Sequence, residues 1–366
     1  SCGLRLSAPL KHAIMLACGA MLLLMVLQLP LLLATPVPLI IDTDIGQGGC
    51  MDVDDVGALC IANALADSGE TELLAVVQDT RPSKGVGVIS VLNHYYGRDH
   101  VPIGAYKGAD LDESGPVQSY VADLVSNWSS PVKDASQVPS GVNIYRKVLG
   151  QQPDHSVVIS SIGLLTNLAE LLQSMPDDLS SLNGIDLVAK KVKLLVVMGG
   201  EYPSSSGRPQ GCNFCGCAFG DRNISAKTAS AAAAYVFSHM PQDVQVLFVG
   251  ASMGWKVVSG SKLSACTPRQ NPCRQAYLDY TGAPGEGRYS WDLLTTLVAI
   301  RGVAAAASAI GSECAGGVNQ VDAKTGANRW LPGVLSNQSY LELKDPIAAR
   351  ETLDKLLCQP PAIQVV

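Results

Sequence analysis

Five carboxylates lie within fourteen residues near the start of the chain, at Asp42, Asp44, Asp52, Asp54 and Asp55. The first two follow an apolar run typical of a strand, and a glycine-rich turn separates them from the other three, which precede a helical pattern. Charges this close raise one another's pKa unless a cation neutralises them. One or two of these residues would suffice to cap a helix. The full set favours a hard cation such as Ca²⁺ or Mg²⁺ over Zn²⁺.

The composition is that of a globular protein. The 366 residues are 47% hydrophobic and 16% charged, with a formal net charge of −6. This length suffices for a large single α/β domain or for two domains. A nucleic-acid-binding protein would need a basic face, which the acidic balance does not provide. We therefore expect no nucleic-acid partner.

Residues 1–34 differ from the rest of the chain. Arg5 and Lys11 precede an apolar run from Ala13 to Ala34, a pattern typical of a signal peptide. The run is also long enough for an uncleaved signal anchor. We predict a leader over 1–34, a single domain over 35–366, and a location outside the cell or on the extracellular face of a membrane. Without the leader the net charge becomes −8.

Sequons and cysteines agree with entry into the secretory pathway. Three Asn-x-Ser triplets offer glycan acceptors at Asn127, Asn223 and Asn337. Nine cysteines lie outside the leader, and in an oxidising compartment most would pair. The segment Cys266–Cys273 resembles a small loop closed by its own disulfide. The cysteines at 212, 215 and 217 lack a fourth zinc ligand at a recognised spacing, so disulfides, with Cys50 as one candidate partner, are favoured there.

Apolar strand patterns alternate with helical ones along the chain. Strands are predicted at 38–41, 70–77, 102–105, 156–163, 192–200 and 244–250, and helices at 56–67, 83–96, 117–126, 141–150, 226–240, 291–300 and 346–357, with another beginning at 165. This alternation predicts an α/β fold with an open, mostly parallel, doubly wound sheet and helices on both faces. Ligands of such sheets bind beyond the carboxyl ends of the strands. Asp44, Gly163, Met198 and Gly250 lie at those ends.

The ordered set of motifs resembles the inosine-uridine-preferring nucleoside hydrolase family. The matching segments are Asp42-Thr43-Asp44, Asp54-Asp55, 162–169, 197–200 and Trp291-Asp292, although the loop between the first two is longer than is usual in the family. The resemblance implies cleavage of the N-glycosidic bond of ribonucleosides with bound Ca²⁺. It assigns the metal to Asp44, Asp55, Asp292 and the backbone carbonyl of Thr166, and makes Asp54 the general base that activates a metal-bound water.

The resemblance also implies a substrate pocket. Asn213 matches a ribose-binding asparagine, Met198 matches a residue that approaches the ribose, and Asp79 corresponds more loosely to a ribose-proximal asparagine. Trp291 stands where many members have a histidine that protonates the leaving base. Stacking of a purine on Trp291 would offer another route to base departure, whereas a core or lid role is the structural alternative. The preferred base is therefore left open.

Two rival hypotheses compete with the hydrolase, and the first follows from these departures. A secreted relative that binds metal and ribose with little turnover would explain the missing histidine, but it would not need Asp54 as a base. A phosphotransferase with Asp42 or Asp44 as nucleophile would leave Asp54-Asp55 and Trp291-Asp292 unexplained. The family resemblance also implies dimers or tetramers, but no self-complementary surface can be identified from the sequence.

Overall fold

Four apolar segments form the centre of a parallel sheet. They are β1 (Val37–Thr43), β2 (Thr71–Gln78), β4 (Val157–Ser161) and β5 (Val192–Met198). Their residues are buried almost throughout, as expected for strands covered on both faces. The computed structural model describes residues 35–46, 52–80, 84–108, 119–203, 213–214, 226–306 and 308–362.

The sheet has eight strands in the order β3-β2-β1-β4-β5-β6-β12-β9. The remaining members are β3 (Ile103–Ala105), β6 (Gln245–Val249), β9 (Ile310–Cys314) and β12 (Gln338–Leu343). All neighbours pair in parallel except β12 and β9, which are antiparallel. The predicted open, mostly parallel sheet is confirmed. The order reverses direction between β1 and β4, which places a crevice at their carboxyl ends.

Helices cover both faces of the sheet and bury two separate cores. Leu39 and Ile41 of β1 face one core, and Ile40 between them faces the other, which is the alternation that a strand imposes. The first core is covered by α1 (Asp54–Asp67), α2 (Gly85–Tyr95), α3 (Ser119–Asn127), α10 (Pro272–Thr281), α11 (Trp291–Ala305) and α12 (Pro346–Leu357). The second is covered by α4 (Gly141–Gln151), α5 (Thr166–Gln173), α6 (Gly184–Lys191) and α7 (Ala226–His239).

Most predicted elements are present with their ends shifted by a few residues, but short or irregular ones were missed. The missed elements are a 3-10 helix (Ala135–Gln137), α6, α8 (Ala251–Gly254), α9 (Leu263–Cys266), β7 (Val258–Ser259), β8 (Arg288–Tyr289), β9, β10 (Gly317–Val321), β11 (Asn328–Pro332) and β12. Strands β7 and β8 form a two-stranded antiparallel pair, as do β10 and β11. The apolar runs of these four strands are too short to show a clear two-residue period, so sequence periodicity does not detect them.

The prediction of a disulfide between Cys266 and Cys273 is wrong. Cys273 is bonded to Cys60, and Cys266 is bonded to Cys358. Cys273 lies in the first turn of α10, fully buried against α1, whereas Cys266 ends α9 at the surface near the end of α12. Nearness in sequence suggested the loop, but the two side chains point to different helices.

Several predictions concern residues outside the described ranges, namely the leader over 1–34, the cysteines at 50, 212, 215 and 217, and the sequon at Asn223. The described residues from Pro36 onward belong to one compact unit. No helix within the described ranges combines the length and the apolarity needed to cross a bilayer.

Candidate active site

The predicted site residues converge on the carboxyl ends of the four central strands. Asp44 follows β1, Asp79 follows β2, Thr166 begins the helix after β4, and Met198 ends β5. Two helix N-termini complete the arrangement, because Asp54-Asp55 open α1 and Trp291-Asp292 open α11. Residues that are far apart in sequence thus face one crevice, since these strands are adjacent in the sheet.

Three carboxylates form the centre of the site. Asp54, Asp55 and Asp292 each offer an oxygen, and these atoms all lie within 4.8 Å of one another. The backbone N–H of Asp292 donates to Oδ2 of Asp54 at 3.2 Å, and the Thr43 hydroxyl donates to Oδ1 of Asp55. All three side chains are at most 4% exposed. We call these residues the acidic trio.

Burial and mutual repulsion govern the protonation of the trio. Burial raises the pKa of all three carboxyls well above the ordinary value, and neighbouring negative charges raise it further: that of Asp54 acts on Asp55 and Asp292, and that of Asp52 acts on all three. Asp44, which is 3% exposed, lies outside the trio, but its charge contributes to the raised pKa of each member. A cation placed among these oxygens would reverse this repulsion.

The donor set fits a hard divalent cation. It consists of buried carboxylate oxygens, which suit Ca²⁺ or Mg²⁺ better than a softer metal. Arg288 is the one cation among the main electrostatic neighbours of Asp54 in the described residues, and its charge lowers the pKa of Asp54. Its guanidinium is already paired with Asp52. The described residues therefore leave the trio's own charge for a bound ion to neutralise.

Asp42 has a different environment from Asp44. Its two oxygens accept hydrogen bonds from Asn167 Nδ2 at 3.0 Å and from the Tyr145 hydroxyl at 2.8 Å. Burial raises the pKa of Asp42 to about 7, although both hydrogen bonds oppose the shift. Its carboxylate is thus occupied behind the crevice, where it fixes the end of β1 to α4 and α5.

Asp79 and Thr166 lie together on the β2 side of the crevice. The Thr166 hydroxyl donates to the backbone carbonyl of Asp79 at 2.6 Å, and the Asp79 N–H donates to the carbonyl of Thr43 at 3.0 Å. A Cβ at Gly163 would lie 2.2 Å from Asp79 Oδ2 and 2.4 Å from Asp44 N. Only glycine fits there, because any side chain would displace both acidic residues.

Asn213 joins the other side of the crevice. Its Nδ2 donates to the backbone carbonyls of Ile162 and Met198, each at 3.1 Å, and lies 3.2 Å from Met198 Sδ. Phe214 next to it is fully buried, and a Cβ at Gly199 would lie 2.5 Å from its ring. The structure thus brings Asn213 and Met198 together at the ends of β4 and β5.

Trp291 belongs to an aromatic cluster next to the trio. Its ring centroid lies 4.7 Å from that of Trp255 and 5.3 Å from that of Tyr289, and these two partners are 4.8 Å apart. The indole N–H of Trp291 donates to the carbonyl of Ala251 at 2.9 Å. Trp255 is 46% exposed. These three rings, called the aromatic cluster below, form a half-open apolar wall beside Asp292.

The residues that support this arrangement were not predicted from the sequence. Trp255 and Tyr289 complete the aromatic cluster, and Arg288 links it to Asp52. The buried Tyr120 hydroxyl donates to the carbonyl of Asp52 at 2.9 Å and accepts from the Gly46 N–H at 3.2 Å, so it fixes both ends of the long acidic turn. Tyr120 carried no sequence signal. Arg288 and Tyr289 lie three and two residues before Trp291, but their contacts with Asp52 and Trp255 depend on how distant segments pack.

Comparisons with known proteins agree with the geometry. The family model described as inosine-uridine preferring nucleoside hydrolase matches residues 39–329. No curated protein sequence is significantly similar to the chain.

Solved structures share the fold. A plant nucleoside hydrolase is 18% identical with a TM-score of 0.60, and the alignment covers 89% of this chain and all of that one. An inosine-guanosine nucleoside hydrolase is 19% identical with a TM-score of 0.62, covering 90% and 99%. The type III effector protein XopQ, solved in complex with adenosine diphosphate ribose, is 16% identical with a TM-score of 0.63, covering 90% and 95%.

Proposed function

The chain belongs to the inosine-uridine preferring nucleoside hydrolase family, a family of hydrolases that act on N-glycosyl bonds, and from this premise we propose that it cleaves ribonucleosides into ribose and free base with the help of Ca²⁺. The observation that carries the proposal is the acidic trio, in which three buried carboxylates lie within 4.8 Å of one another. The runner-up is a relative that binds the same ligands with little turnover.

Calcium is the proposed cofactor because the donors are carboxylate oxygens and the ion accepts six to eight of them. Asp55 and Asp292 would hold it together with Asp44 and the backbone carbonyl of Thr166. When bound, the ion would fix the ribose hydroxyls and lower the pKa of a water. Asp54 contacts the same pocket but has the separate role of base.

Asp54 is the proposed general base. The Asp292 N–H holds Oδ2 of Asp54 in place, which leaves the carboxylate fixed while it takes a proton from the attacking water. Positioned general bases typically contribute 10²–10⁴-fold to the rate. The attack is on the anomeric carbon, where positive charge develops as the base departs.

The remaining predicted residues would surround the ribose and the base. Asn213 and Met198 lie together at the ends of β4 and β5, and Asp79 lies on the β2 side; we propose that they contact the sugar. Trp291 would stack on the departing base within the aromatic cluster. Stacking on an electron-rich ring stabilises a base that gains a proton, which would replace the acid histidine of many relatives.

We propose a secreted or membrane-anchored location, with residues 1–34 as signal peptide or signal anchor. The Cys60–Cys273 and Cys266–Cys358 disulfides support an oxidising compartment. Of the two described sequons, Asn127 is exposed. The amides of both asparagines are hydrogen-bonded, that of Asn127 to Asp123 Oδ1 at 2.8 Å and that of Asn337 to the carbonyl of Pro241 at 3.0 Å. Asn337 is half-buried and is therefore the poorer glycan acceptor.

The decisive experiment measures ribose release from purine and pyrimidine nucleosides, with and without a chelator. Adenosine diphosphate ribose joins the panel because XopQ was solved with it. Asp54→Asn tests the base, and Asp322→Asn in the exposed turn between β10 and β11 is the control. Loss of turnover in chelator and in Asp54→Asn, but not in the control, supports the hydrolase. Binding without turnover by the wild type favours the runner-up instead.

A further inference from the structure

Asp52, like Asp42, is a carboxylate of the acidic stretch that the proposed mechanism does not use, and its partner is a cation. Its Oδ1 and Oδ2 both lie 2.9 Å from Nε of Arg288, and Nη2 of the same guanidinium also contacts Oδ2. Oδ1 also accepts the Val53 N–H at 2.7 Å. Asp52 is 6% exposed and the Arg288 side chain 28%, so the carboxylate end of the pair is shielded from solvent and the pair is screened less than one at the open surface.

The other side of Arg288 is covered by aromatic rings. Its guanidinium carbon lies 5.1 Å from the centroid of Tyr289, 5.5 Å from Trp291 and 5.4 Å from Tyr280. These are cation–π distances. The guanidinium therefore contacts Asp52 with its fork and two rings of the aromatic cluster with its faces, which lysine could not reproduce because its ammonium is a compact point charge.

The ion pair joins two parts of the site that come from opposite ends of the sequence. Asp52 precedes α1, which carries Asp54 and Asp55, while Arg288 lies in β8, two residues before the cap of α11. The backbone position of Arg288 is fixed by the antiparallel pairing of β8 with β7, in which it lies opposite Ser259. Any shift of the β8 segment relative to α1 would have to break the ion pair.

We propose that Arg288 is a positioning residue for the leaving base, held by Asp52, and that the pair couples the acidic trio to the aromatic cluster. The pair orients the rings against which a purine or pyrimidine base would stack. Arg288 does not donate a proton, because its guanidinium is charged at all relevant pH values. The proposal rests on the proposed function only in that the ligand is a nucleoside.

A purely structural ion pair makes different predictions, and the chain offers a matched control. Arg301 pairs with Glu70 through the same fork, with Nε–Oε2 at 2.7 Å and Nη2–Oε1 at 2.8 Å. Its side chain is 27% exposed, against 28% for Arg288. Arg301 lies near the end of α11, away from the trio, so Arg301→Gln reports the effect of losing a similarly exposed arginine from an ion pair whose carboxylate, Glu70, is more exposed than Asp52.

The test compares Arg288→Gln, Arg288→Lys, Asp52→Asn, the double variant Asp52→Asn/Arg288→Gln, and Arg301→Gln. Steady-state kinetics on nucleosides gives KM and kcat, quenching of tryptophan fluorescence gives nucleoside affinity without turnover, and calorimetry gives Ca²⁺ affinity. We expect Arg288→Gln to raise KM about tenfold from lost ring orientation with a much smaller change in kcat. Asp52→Asn should act in the same way, Arg288→Lys should be intermediate, and the double variant should be no worse than Arg288→Gln.

The outcomes separate this proposal from the proposed function. A wild type that binds nucleosides without cleaving them contradicts the hydrolase, while the coupling is still measured by fluorescence. The coupling itself is refuted if Arg288→Gln leaves nucleoside affinity unchanged, weakens Ca²⁺ binding alone, or behaves like Arg301→Gln. Additive effects in the double variant would also refute it, and a wild type that neither binds nor cleaves any nucleoside would overturn both.

Discussion

The acidic trio and the aromatic cluster are adjacent but are built in different ways. The trio is buried, consists of one residue type, and lies at helix N-termini directly above the sheet. The aromatic cluster is partly exposed and draws its members from α8, β8 and α11 and the residues beside them. Helix N-termini position the acidic trio, whereas contacts between side chains position the aromatic cluster. We therefore expect the acidic trio to govern metal binding and turnover, and the aromatic cluster to govern the choice of base.

The largest expected effects separate the neighbours Asp54 and Asp55. Asp54→Asn should lower kcat about 10²–10⁴-fold through loss of the base and retain most of the Ca²⁺ affinity. Asp55→Asn should weaken Ca²⁺ binding by more than about 100-fold, since even indirect changes around a metal cost 10–100-fold. Calorimetry and ribose release on both variants check this. Equal loss of Ca²⁺ affinity in the two variants would make Asp54 a ligand.

The position of the acidic residues could largely be predicted from the sequence. Asp42, Asp44, Asp54 and Asp55 belong to a single short segment, and Asp292 starts a clear helix, so local pattern sufficed to bring them to one sheet edge. Arg288 and Trp255 were missed because their importance arises from contacts between elements far apart in sequence. The same reason explains the wrong disulfide, since the direction in which Cys273 points depends on how α10 packs on α1.

The trio should also make the stability of the metal-free protein fall as pH rises. The pKa of Asp54, Asp55 and Asp292 is raised in the fold, so the folded state binds more protons than the unfolded chain above about pH 4, and the free energy of unfolding decreases with increasing pH. Ca²⁺ at 100 times its Kd should restore about 2.7 kcal/mol, or roughly 4 °C in Tm for a domain of this size. Thermal unfolding at pH 5 and pH 8, with Ca²⁺ or chelator, checks this.

Asp292→Asn provides the matched control for the pH effect. Removing one of three repelling charges should make this variant more stable than the wild type in chelator at pH 8, and it should gain little stability from Ca²⁺. If chelator leaves the wild-type Tm unchanged between pH 5 and pH 8, the repulsion inferred within the trio does not contribute to stability.

A smaller effect is expected in the aromatic cluster. Trp291→Leu should raise KM for purine nucleosides about tenfold, because stacking of a base on an aromatic ring contributes about 1–3 kcal/mol. Trp291→Phe should retain most of the affinity, and Trp255→Leu should have a weaker effect because Trp255 is the outer, half-exposed ring. A KM that is equal for purines and pyrimidines in every variant would show that the cluster does not select the base.

Of the two disulfides within the described ranges, Cys266–Cys358 should have the smaller effect on turnover. Cys266 is exposed and Cys358 is half-buried, whereas Cys60 and Cys273 are fully buried between α1 and α10. A mild reductant should therefore open Cys266–Cys358 first. The double variant Cys266→Ser/Cys358→Ser should lose about 2–4 kcal/mol of unfolding free energy with little change in kcat, because α9 and the end of α12 carry no residue of the site.

The double variant Cys60→Ala/Cys273→Ala should lower Ca²⁺ affinity as well as stability. Helix α1 carries Asp54 and Asp55 at its N-terminus, and this bond holds α1 to α10. Thiol labelling with mass spectrometry, followed by denaturant unfolding and calorimetry, distinguishes the two bonds; equal loss of Ca²⁺ affinity in both variants would show that the contribution of the disulfides is global rather than directed through α1.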